Sequence, residues 1–329
     1  MNTFPVNYST LDTKALLQLI IENYEVDANA TITFLKRGFN DTYLITKPDG
    51  KKYIFRVYNN NRRTIGSINT ELVILSMMKD NTDIGISYPI EKKTDGLIIE
   101  IKAPEGVRTG VLFSYAEGEQ IRKLSTEQAY ILGREAARIH NFSLTFEGGT
   151  TGHNYDIASQ FKLTLTILKP ILKDFPEQYD YLVKLQKDFI NTFIDSNMEE
   201  LAYGICHGDL QAENIHFTNY NRITIFDFDF IGKGFLAYDI GVFIWYDHKN
   251  KTPEIINSFL EGYQTERKLS PTELKLIPYF STLRALFQMT LYCQTNDGHY
   301  LPQWQPKEVA AFVNKIKSWH EKEVLKYWK

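Results

Sequence analysis

In the first third of the chain, hydrophobic residues first recur at helical spacing and then mostly at strand spacing. The opening helix is predicted because its apolar residues share one face, namely Leu16, Leu17, Ile20, Ile21 and Tyr24. Strands are predicted at residues 31–36, 42–46, 51–58, 97–102 and 110–115, with Asp-Gly turn signals at 49–50 and 95–96. A second helix at about 67–78 contains Glu71. The pattern therefore predicts a mostly antiparallel sheet carrying one helix.

Beyond Gly118 the apolar spacing becomes helical for most of the chain. Ser125 followed by Gln128 is the pattern of a capping box at the start of one helix. Further helices are predicted at residues 161–172, 179–194, 238–245, 253–263, 271–293 and 306–327, and short strands at 215–217 and 223–226. We therefore expect a two-lobed α+β protein, with a small antiparallel-sheet N-terminal lobe over residues 1–115 and a larger, mainly helical C-terminal lobe over residues 116–329.

Three polar residues suited to phosphoryl transfer lie on neighbouring loops of one predicted hairpin unit. Asp209 belongs to a His-Gly-Asp triplet, Asn214 ends the same loop, and Asp227 follows the next strand. Protein kinases use this order for an Asp that faces the acceptor hydroxyl, an Asn and a metal-binding Asp. The triplet alone arises by chance in many proteins, but the longer pattern fixes several residue types and the place of a strand. It predicts an ATP-dependent phosphotransferase.

Composition and charge indicate which partners and which cellular compartment suit this protein. The chain has 43% hydrophobic and 23% charged residues, as globular enzymes do, and its net charge of -3 provides no basic field for a nucleic acid partner. Cys206 and Cys293 form no C-x-x-C pair, which argues against a disulfide scaffold or a cysteine-ligated zinc site and suits a reducing cytoplasm. Residues 1–12 lack a signal-peptide pattern, and no apolar run approaches the ~20 residues that span a bilayer. We expect a cytoplasmic protein with neither nucleic acid nor membrane as partner, and the sequence leaves its oligomeric state open.

At these residues the sequence resembles the aminoglycoside phosphotransferase and choline kinase-like superfamily, which includes type II homoserine kinase-like and stress-response kinase-like proteins. The resemblance extends from about Ile32 to Phe287 and is most specific over residues 207–214 together with Asp227. It implies a two-lobed protein-kinase-like fold with a connector near residues 113–118. It also implies ATP and Mg²⁺ as cofactors and a small hydroxylated molecule as substrate.

The resemblance and the chemistry together assign roles to the acidic loops. Asp209 is predicted to orient the acceptor hydroxyl and accept its proton. Asn214 and Asp227 are predicted to offer oxygen ligands to Mg²⁺, although Asn214 is also a residue type that caps turns. Asp229 would point the same way as Asp227 along an extended strand, which makes it either a second metal contact or a cap of the next turn.

Two further residues of this region are predicted to support the loop. His207 is expected to brace it rather than act as a base, because the neighbouring Asp209 already suits that role. Asp239 matches an Asp of the family that braces the catalytic loop from a helix start, and we expect a structural role there.

Nucleotide binding is predicted for the N-terminal lobe. The turn at residues 37–43, which contains Asn40, resembles the phosphate-covering turn of the family, although Gly-Asn hairpin turns are common. Arg56 stands where kinases carry a lysine, and Glu71 is its predicted partner, with a solvated helix charge as the alternative. The connector, with Phe113 and Tyr115, is predicted to bind adenine through backbone groups.

The acceptor site is expected on C-terminal helices of the larger lobe. Its candidate residues are Trp245, Tyr246, Tyr263, Tyr279, Arg284 and Tyr292. Arg284 either holds a carboxylate or phosphate of the acceptor or forms an internal salt bridge to an acidic neighbour. The segment 247–250 has mixed charge, and no dense acidic cluster is present to bind a polycationic aminoglycoside. A small metabolite such as an amino alcohol, a hydroxy amino acid or a sugar is therefore preferred as acceptor.

Alternatives remain at this stage. The strand ending in Asp227-Phe-Asp229 also resembles the nucleophile motif of aspartyl-phosphate phosphatases, although those enzymes carry it near the chain start. Arg56 in place of lysine suggests a catalytically inactive kinase-like module that binds nucleotide. A protein Ser/Thr kinase of the stress-response type is the third alternative, against which stands the short segment between Asp229 and Asp239.

Overall fold

A computed structural model describes residues 4–149, 151–219, 222–246, 252–294 and 304–324. The chain divides into two compact units, of which the first reaches Glu117 and the second begins at Gly118. This division falls close to the predicted boundary between residues 115 and 116. None of the described helices combines the length and the apolar character that a membrane crossing requires.

The first unit is a five-stranded antiparallel sheet with strand order β1-β2-β3-β5-β4 and two helices. Its elements are α1 (Thr13–Asn23), β1 (Thr31–Arg37), β2 (Asp41–Thr46), β3 (Lys52–Tyr58), α2 (Ile65–Asn81), β4 (Ile98–Ala103) and β5 (Gly106–Ser114). Alternate residues of β2, such as Tyr43 and Ile45, are buried with Leu16 and Ile20 of α1 in one core. The predicted sheet and both predicted helices are confirmed.

The second unit is mainly helical and contains two small three-stranded sheets, with strand orders β10-β9-β6 and β7-β11-β8. Its helices are α3 (Thr126–Leu144), α4 (Ile157–Ile171), α5 (Pro176–Ile194), α6 (Ala237–Trp245), α7 (Pro253–Glu266), α8 (Pro271–Gln294) and α9 (Pro306–Ser318). Its strands are β6 (Glu119–Gln120), β7 (His153–Asn154), β8 (Tyr203–Cys206), β9 (Ile215–Asn219), β10 (Arg222–Ile225) and β11 (Gly232–Phe235).

Local sequence signals explain where several of these helices begin and end. The capping box is present at α3, where the Ser125 hydroxyl accepts from the backbone N–H of Gln128 and the Gln128 side chain accepts from the N–H of Ser125. Pro176 begins α5, at a position that needs no backbone donor. The helix predicted at 306–327 is present as α9, which ends at Ser318, and as a π-helical turn, Trp319–Val324, that follows directly, whereas residues 325–327 lie outside the described residues.

The sequence does not predict β8 and β11, which pair with each other directly before and after the candidate loops. Each strand has four residues, and Gly204, Gly232 and Gly234 interrupt the alternation that would mark a strand. The pairing matters for function because Cys206 lies opposite Gly232, which places the loop after Cys206 beside the turn that precedes β11.

Helices α3 and α7 pack so closely that we expect Gly133→Ala to destabilise the protein. A Cβ atom at Gly133 would overlap the backbone carbonyl of Phe259, and one at Gly262 would overlap that of Tyr130. Overpacking of this kind costs about 1–3 kcal/mol, so the melting temperature of Gly133→Ala should fall. Gly149→Ala is the control, since that site has no atom within 4 Å of the added Cβ. Equal melting temperatures for the two variants would contradict this account of the packing.

Candidate active site

The loop that carries Asp209 begins where β8 ends and depends on Gly208. Gly208 has a φ of 81°, a left-handed conformation that favours glycine. Its added Cβ would also overlap the hydroxyl of Tyr155 and the carbonyl of Phe230. A side chain at this position would therefore be both strained and obstructed, which explains a glycine directly before Asp209.

Asp239, near the start of α6, holds this loop in place. Its Oδ1 accepts from the backbone N–H of Gly208 at 2.8 Å, and its Oδ2 accepts from the N–H of His207 at 2.7 Å. His140 of α3 lies 3.0 Å from the same Oδ2 through its Nε2. Burial opposes the charge of Asp239, but the hydrogen bond and charge of His140, with His207 and the Gly208 N–H, lower the pKa of Asp239 below its ordinary value. The predicted bracing role is present in these contacts.

We expect Asp239→Asn to lose about 1–3 kcal/mol of stability. Three donors face the two oxygens of Asp239, and asparagine replaces one of these oxygens by an NH₂ group, which cannot accept a hydrogen bond. Folding lowers the pKa of Asp239, so its carboxylate stabilises the fold above the unfolded value near ~4 and this stabilisation is lost as pH falls below that value. Urea denaturation at several pH values measures both effects. Asp156→Asn is the control, since Asp156 is an exposed helix N-cap that asparagine can replace. Equal losses in the two variants would contradict the bracing role.

His207 links the two acidic loops through its imidazole. Its Nδ1 accepts from the backbone N–H of Asp209 at 3.2 Å, and its Nε2 donates to the carbonyl of Phe226 at 3.2 Å. Phe226 directly precedes Asp227, so one ring connects the backbone of both predicted functional loops. Both ring nitrogens are used in this way, which agrees with the predicted bracing role and leaves neither as a base.

The carboxylate of Asp209 is held by donors on both of its oxygens. Oδ1 accepts from Nη2 of Arg284 at 2.5 Å, while Oδ2 accepts from Nδ2 of Asn214 at 2.8 Å and from Nε2 of Gln211 at 3.0 Å. Asp209 is 7% exposed. A carboxylate fixed in this way is preorganised to accept one more hydrogen bond, such as that of an alcohol.

Arg284 of α8 forms the internal salt bridge that was one of its two predicted roles. Its side chain is buried, Nη1 donates to the carbonyl of Gly208 at 3.1 Å, and Nη2 donates to both Asp209 and the Tyr246 hydroxyl. Burial opposes its charge, but Tyr246 and Asp209 raise the pKa of the guanidinium above its ordinary value. These contacts involve both Nη atoms, and the alternative, in which Arg284 binds an anionic group of the acceptor, stays a prediction.

Asn214 and Asp227 lie at the open end of the β9–β10 hairpin, Asn214 directly before β9 and Asp227 two residues after β10. Ile215 pairs with Ile225, and the backbone N–H of Phe226 donates to the carbonyl of Asn214 at 3.0 Å. Because the amide nitrogen of Asn214 donates to Asp209, its amide oxygen is the atom that can bind a metal ion. An amide and a carboxylate oxygen, completed by phosphate oxygens and water, fit the preference of Mg²⁺. No group of three or more His, Cys, Asp and Glu residues within the described ranges forms a separate metal site.

The expectation that Asp227 and Asp229 share one side of an extended strand is wrong. β10 ends at Ile225, Asp227 adopts a left-handed conformation with φ 65°, and a 3-10 turn, Phe228–Phe230, follows. Asp227 is the one non-glycine residue with positive φ in the part of the chain that the structure describes. Side-chain alternation therefore does not apply to this pair. Asp229 is buried while Asp227 is half-buried, and a metal role for Asp229 stays a prediction.

In the first unit, the predicted pair of Arg56 and Glu71 is present. Nη1 of Arg56 lies 3.2 Å from Oε1 of Glu71, and Glu71 is fully buried, so the alternative of a solvated helix charge is wrong. Glu71 has two further partners. Arg63 forms a second ion pair with it, and the hydroxyl of Tyr58 donates to its Oε2 at 3.2 Å. Arg63 could not be predicted as a partner of Glu71, because it lies in the loop before α2 and follows no periodic signal.

The predicted nucleotide turn and connector have local roles in the structure. Oδ1 of Asn40 accepts from the backbone N–H of Asn59 at 3.3 Å, which ties the turn to the end of β3. In the connector, the N–H of Ser114 donates to the carbonyl of Tyr88 at 2.8 Å, and its carbonyl accepts from the Ser87 hydroxyl at 2.7 Å. The backbone of Ser114 is therefore used by the protein itself, and adenine contacts would fall to its neighbours in the connector.

The neighbours of Ser114 complete the predicted nucleotide set. The guanidinium of Arg56 lies 5.2 Å from the ring centroid of Phe113, and the ammonium of Lys52 lies 5.2 Å from that of Tyr115. Arg56, Glu71 and Phe113 are thus brought together, whereas a nucleotide role for Asn40 and Tyr115 stays a prediction.

The predicted acceptor residues divide into two groups. Tyr246 contacts Arg284 beside Asp209, and Trp245 donates through its indole nitrogen to Gln288 of α8 at 2.8 Å. Tyr263 is instead buried against His140, whereas Tyr279 is half-buried and packs on the ring of Phe189, and an acceptor role for Tyr279 stays a prediction. The ring of Tyr292 stacks on Trp304, and the mixed-charge segment 247–250 lies outside the described residues.

Comparison with known proteins decides the family. The sequence pattern of the phosphotransferase enzyme family matches residues 31–274. The chain belongs to this family. Family membership confirms the resemblance and the predicted enzyme class, and it removes the support for an aspartyl-phosphate phosphatase.

Relatives of this phosphotransferase cover most of its length. It is 30% identical to an uncharacterized protein of Synechocystis sp. over 300 residues, which cover 89% of the chain and 81% of that protein. It is 23% identical to a homoserine kinase of Rhizobium meliloti over 274 residues, which cover 80% of the chain and 78% of the kinase. A solved amicoumacin kinase in complex with AMP-PNP and Ca²⁺ has a TM-score of 0.74 at 20% identity, covering 95% of this chain and 94% of that one. The last likeness confirms the kinase-like α+β fold.

Proposed function

We propose that this phosphotransferase moves the γ-phosphate of ATP to a hydroxyl group of a small metabolite, with Mg²⁺ as the divalent ion. The observation that carries the proposal is the arrangement around Asp209, whose carboxylate is held on both oxygens next to Asn214 at the base of the β9–β10 hairpin. Phosphoryl transfer needs positioning and charge neutralisation more than covalent chemistry from the protein. A buried, oriented carboxylate beside an oxygen-only pair of metal ligands provides these functions.

In this proposal each residue of the second unit has one task. Asp209 accepts the hydrogen bond of the acceptor hydroxyl, orients the oxygen for in-line attack and takes its proton as the bond to the γ-phosphorus forms and the bond from that phosphorus to ADP breaks. Asn214 and Asp227 hold the divalent ion through their oxygens, and Asp229 is proposed as a further ligand. The ion, when bound, neutralises charge on the phosphate oxygens.

We assign nucleotide binding to residues of the first unit. Glu71 fixes Arg56 on β3, so that the guanidinium can bind the α- and β-phosphates where other kinases use lysine. Arg63 also pairs with Glu71, so the negative charge of Glu71 is balanced by two guanidinium groups and not by Arg56 alone. Asn40, Phe113 and Tyr115 are proposed to contact the nucleotide from the turn and the connector.

For the acceptor, we propose an amino alcohol, a hydroxy amino acid or a sugar. A homoserine kinase among the relatives supports a hydroxylated metabolite. An amicoumacin kinase, similar to this chain in sequence and in fold, keeps amicoumacin-like molecules among the acceptors to test. We place the reaction in the cytoplasm.

The test is an ATP-consumption screen over amino alcohols, hydroxy amino acids, sugars, aminoglycosides and a generic protein substrate, with each product identified by mass. The proposal predicts magnesium-dependent consumption of ATP with one of the small molecules and a product heavier by one phosphoryl group. Phosphorylation of the protein alone would favour the Ser/Thr kinase alternative. Binding of ATP without turnover across the set would favour an inactive nucleotide-binding module and would contradict the proposal.

A further inference from the structure

Arg284 is a buried cation, and a gain in stability does not explain its presence in these surroundings. It is 2% exposed, and the rings of Phe230, Tyr246 and Phe287 surround its guanidinium at 5.0–5.6 Å. Its Nε is a buried donor without a hydrogen-bond partner among the described residues, which is unfavourable for stability. Apolar residues often replace a buried ion pair without loss of stability. A role in positioning explains the arginine better.

The contacts of Arg284 are directed at two consecutive residues of the catalytic loop. Nη1 donates to the carbonyl of Gly208 at 3.1 Å, and Nη2 donates to Oδ1 of Asp209 at 2.5 Å. The planar guanidinium thus fixes the backbone before Asp209 and its carboxylate at once. A lysine has a single charged nitrogen and would not reproduce this forked geometry.

The opposite side of the carboxylate is fixed independently. Asn214 and Gln211 donate to Oδ2 at 2.8 and 3.0 Å, so the carboxylate has donors on both sides. Removing Arg284 would leave Oδ1 without this partner and free the side chain to turn about its bonds. Misplacement of a reacting group by about 1 Å can cost 10²-fold in rate.

We propose that Arg284 is a positioning residue for phosphoryl transfer, which holds Oδ1 of Asp209 in the orientation that receives the hydrogen bond of the acceptor hydroxyl. Tyr246 supports it by accepting from the same Nη2. The proposal rests on the proposed function, since it requires Asp209 to face the acceptor.

The test compares Arg284→Gln with Arg267→Gln in the full-length protein, using the acceptor found in the screen. Arg267 is the control because, like Arg284, it pairs with a buried carboxylate and a tyrosine hydroxyl. Its partners are Glu273, at 2.7 Å, and Tyr263, and neither belongs to the catalytic loop. We expect Arg284→Gln to lower kcat on the order of 10–100-fold with little change in the KM for ATP. Arg267→Gln should keep kcat near the parent value even where its melting temperature falls equally.

A double variant separates positioning from a general loss of structure. If Arg284 acts through Asp209, adding Arg284→Gln to Asp209→Asn should lower kcat by less than about 3-fold further. Full multiplication of the two losses would overturn the proposal, as would a parent-like kcat for Arg284→Gln.

Two further outcomes are decisive. Should Arg284→Gln fail to fold, Arg284→Met replaces it, since methionine fills a similar volume among the aromatic rings and donates no hydrogen bond to Asp209. A several-fold loss of kcat with an unchanged KM for ATP would support the positioning role, and no loss would overturn it. A parent protein that transfers phosphate to no acceptor would instead refute the proposed function itself.

Discussion

We expect Asp209→Asn to lower phosphotransfer by about 10²–10⁴-fold while the protein stays folded and binds nucleotide. The asparagine keeps an oxygen that can accept from Arg284, but it lacks the second carboxylate oxygen and cannot take the proton of the acceptor hydroxyl. Steady-state assays with the identified acceptor measure the rate, and calorimetric titration with ATP measures nucleotide binding.

Glu213→Gln is the matched control for this variant. It makes the same change from carboxylate to amide on an exposed side chain of the same loop, and it should keep a rate close to that of the parent. A parent-like rate for Asp209→Asn, or an equal loss in both variants, would remove Asp209 from its assigned role.

The second large effect is expected for Asp227→Ala, which should abolish magnesium-dependent activity. Asp227 is the charged member of the proposed metal pair, and alanine leaves only the neutral oxygen of Asn214. Alanine is also less tolerated than Asp at a φ of 65°. A magnesium titration of the rate measures the loss.

Asp227→Asn is the companion variant, because asparagine tolerates the left-handed conformation and keeps a neutral oxygen ligand. It should fold like the parent and need far more magnesium for activity. A magnesium titration of Asp227→Asn that matches the parent would contradict the metal assignment, whatever the stability of the alanine variant.

The sequence predicts those parts of the fold that depend on local order. Long amphipathic helices such as α1 and α3 carry periodic apolar faces or capping boxes, and the strands of the first unit alternate between polar and apolar residues. Short strands such as β8 have no such signal, because their pairing partner lies far along the chain and glycine interrupts them.

The candidate site could be predicted only in part for the same reason. Asp209, Asn214 and Asp227 lie within one short segment, where their spacing is itself the signal. The pairing of Arg284 with Asp209 joins positions 75 residues apart, so nothing in the local pattern selects this acidic partner among many. Asp227 shows a different limit, since its strand pattern was clear but the left-handed turn that ends the strand was not.

The most direct test of the central claim follows the γ-phosphate itself. ATP labelled in its γ-phosphate is incubated with magnesium and the acceptor identified in the screen, for the parent protein and for Asp209→Asn. We predict that the label moves to a hydroxyl of the acceptor with the parent and stays on ATP with the variant. Transfer by the variant at the parent rate, or release of the label only as inorganic phosphate by the parent, would contradict the account.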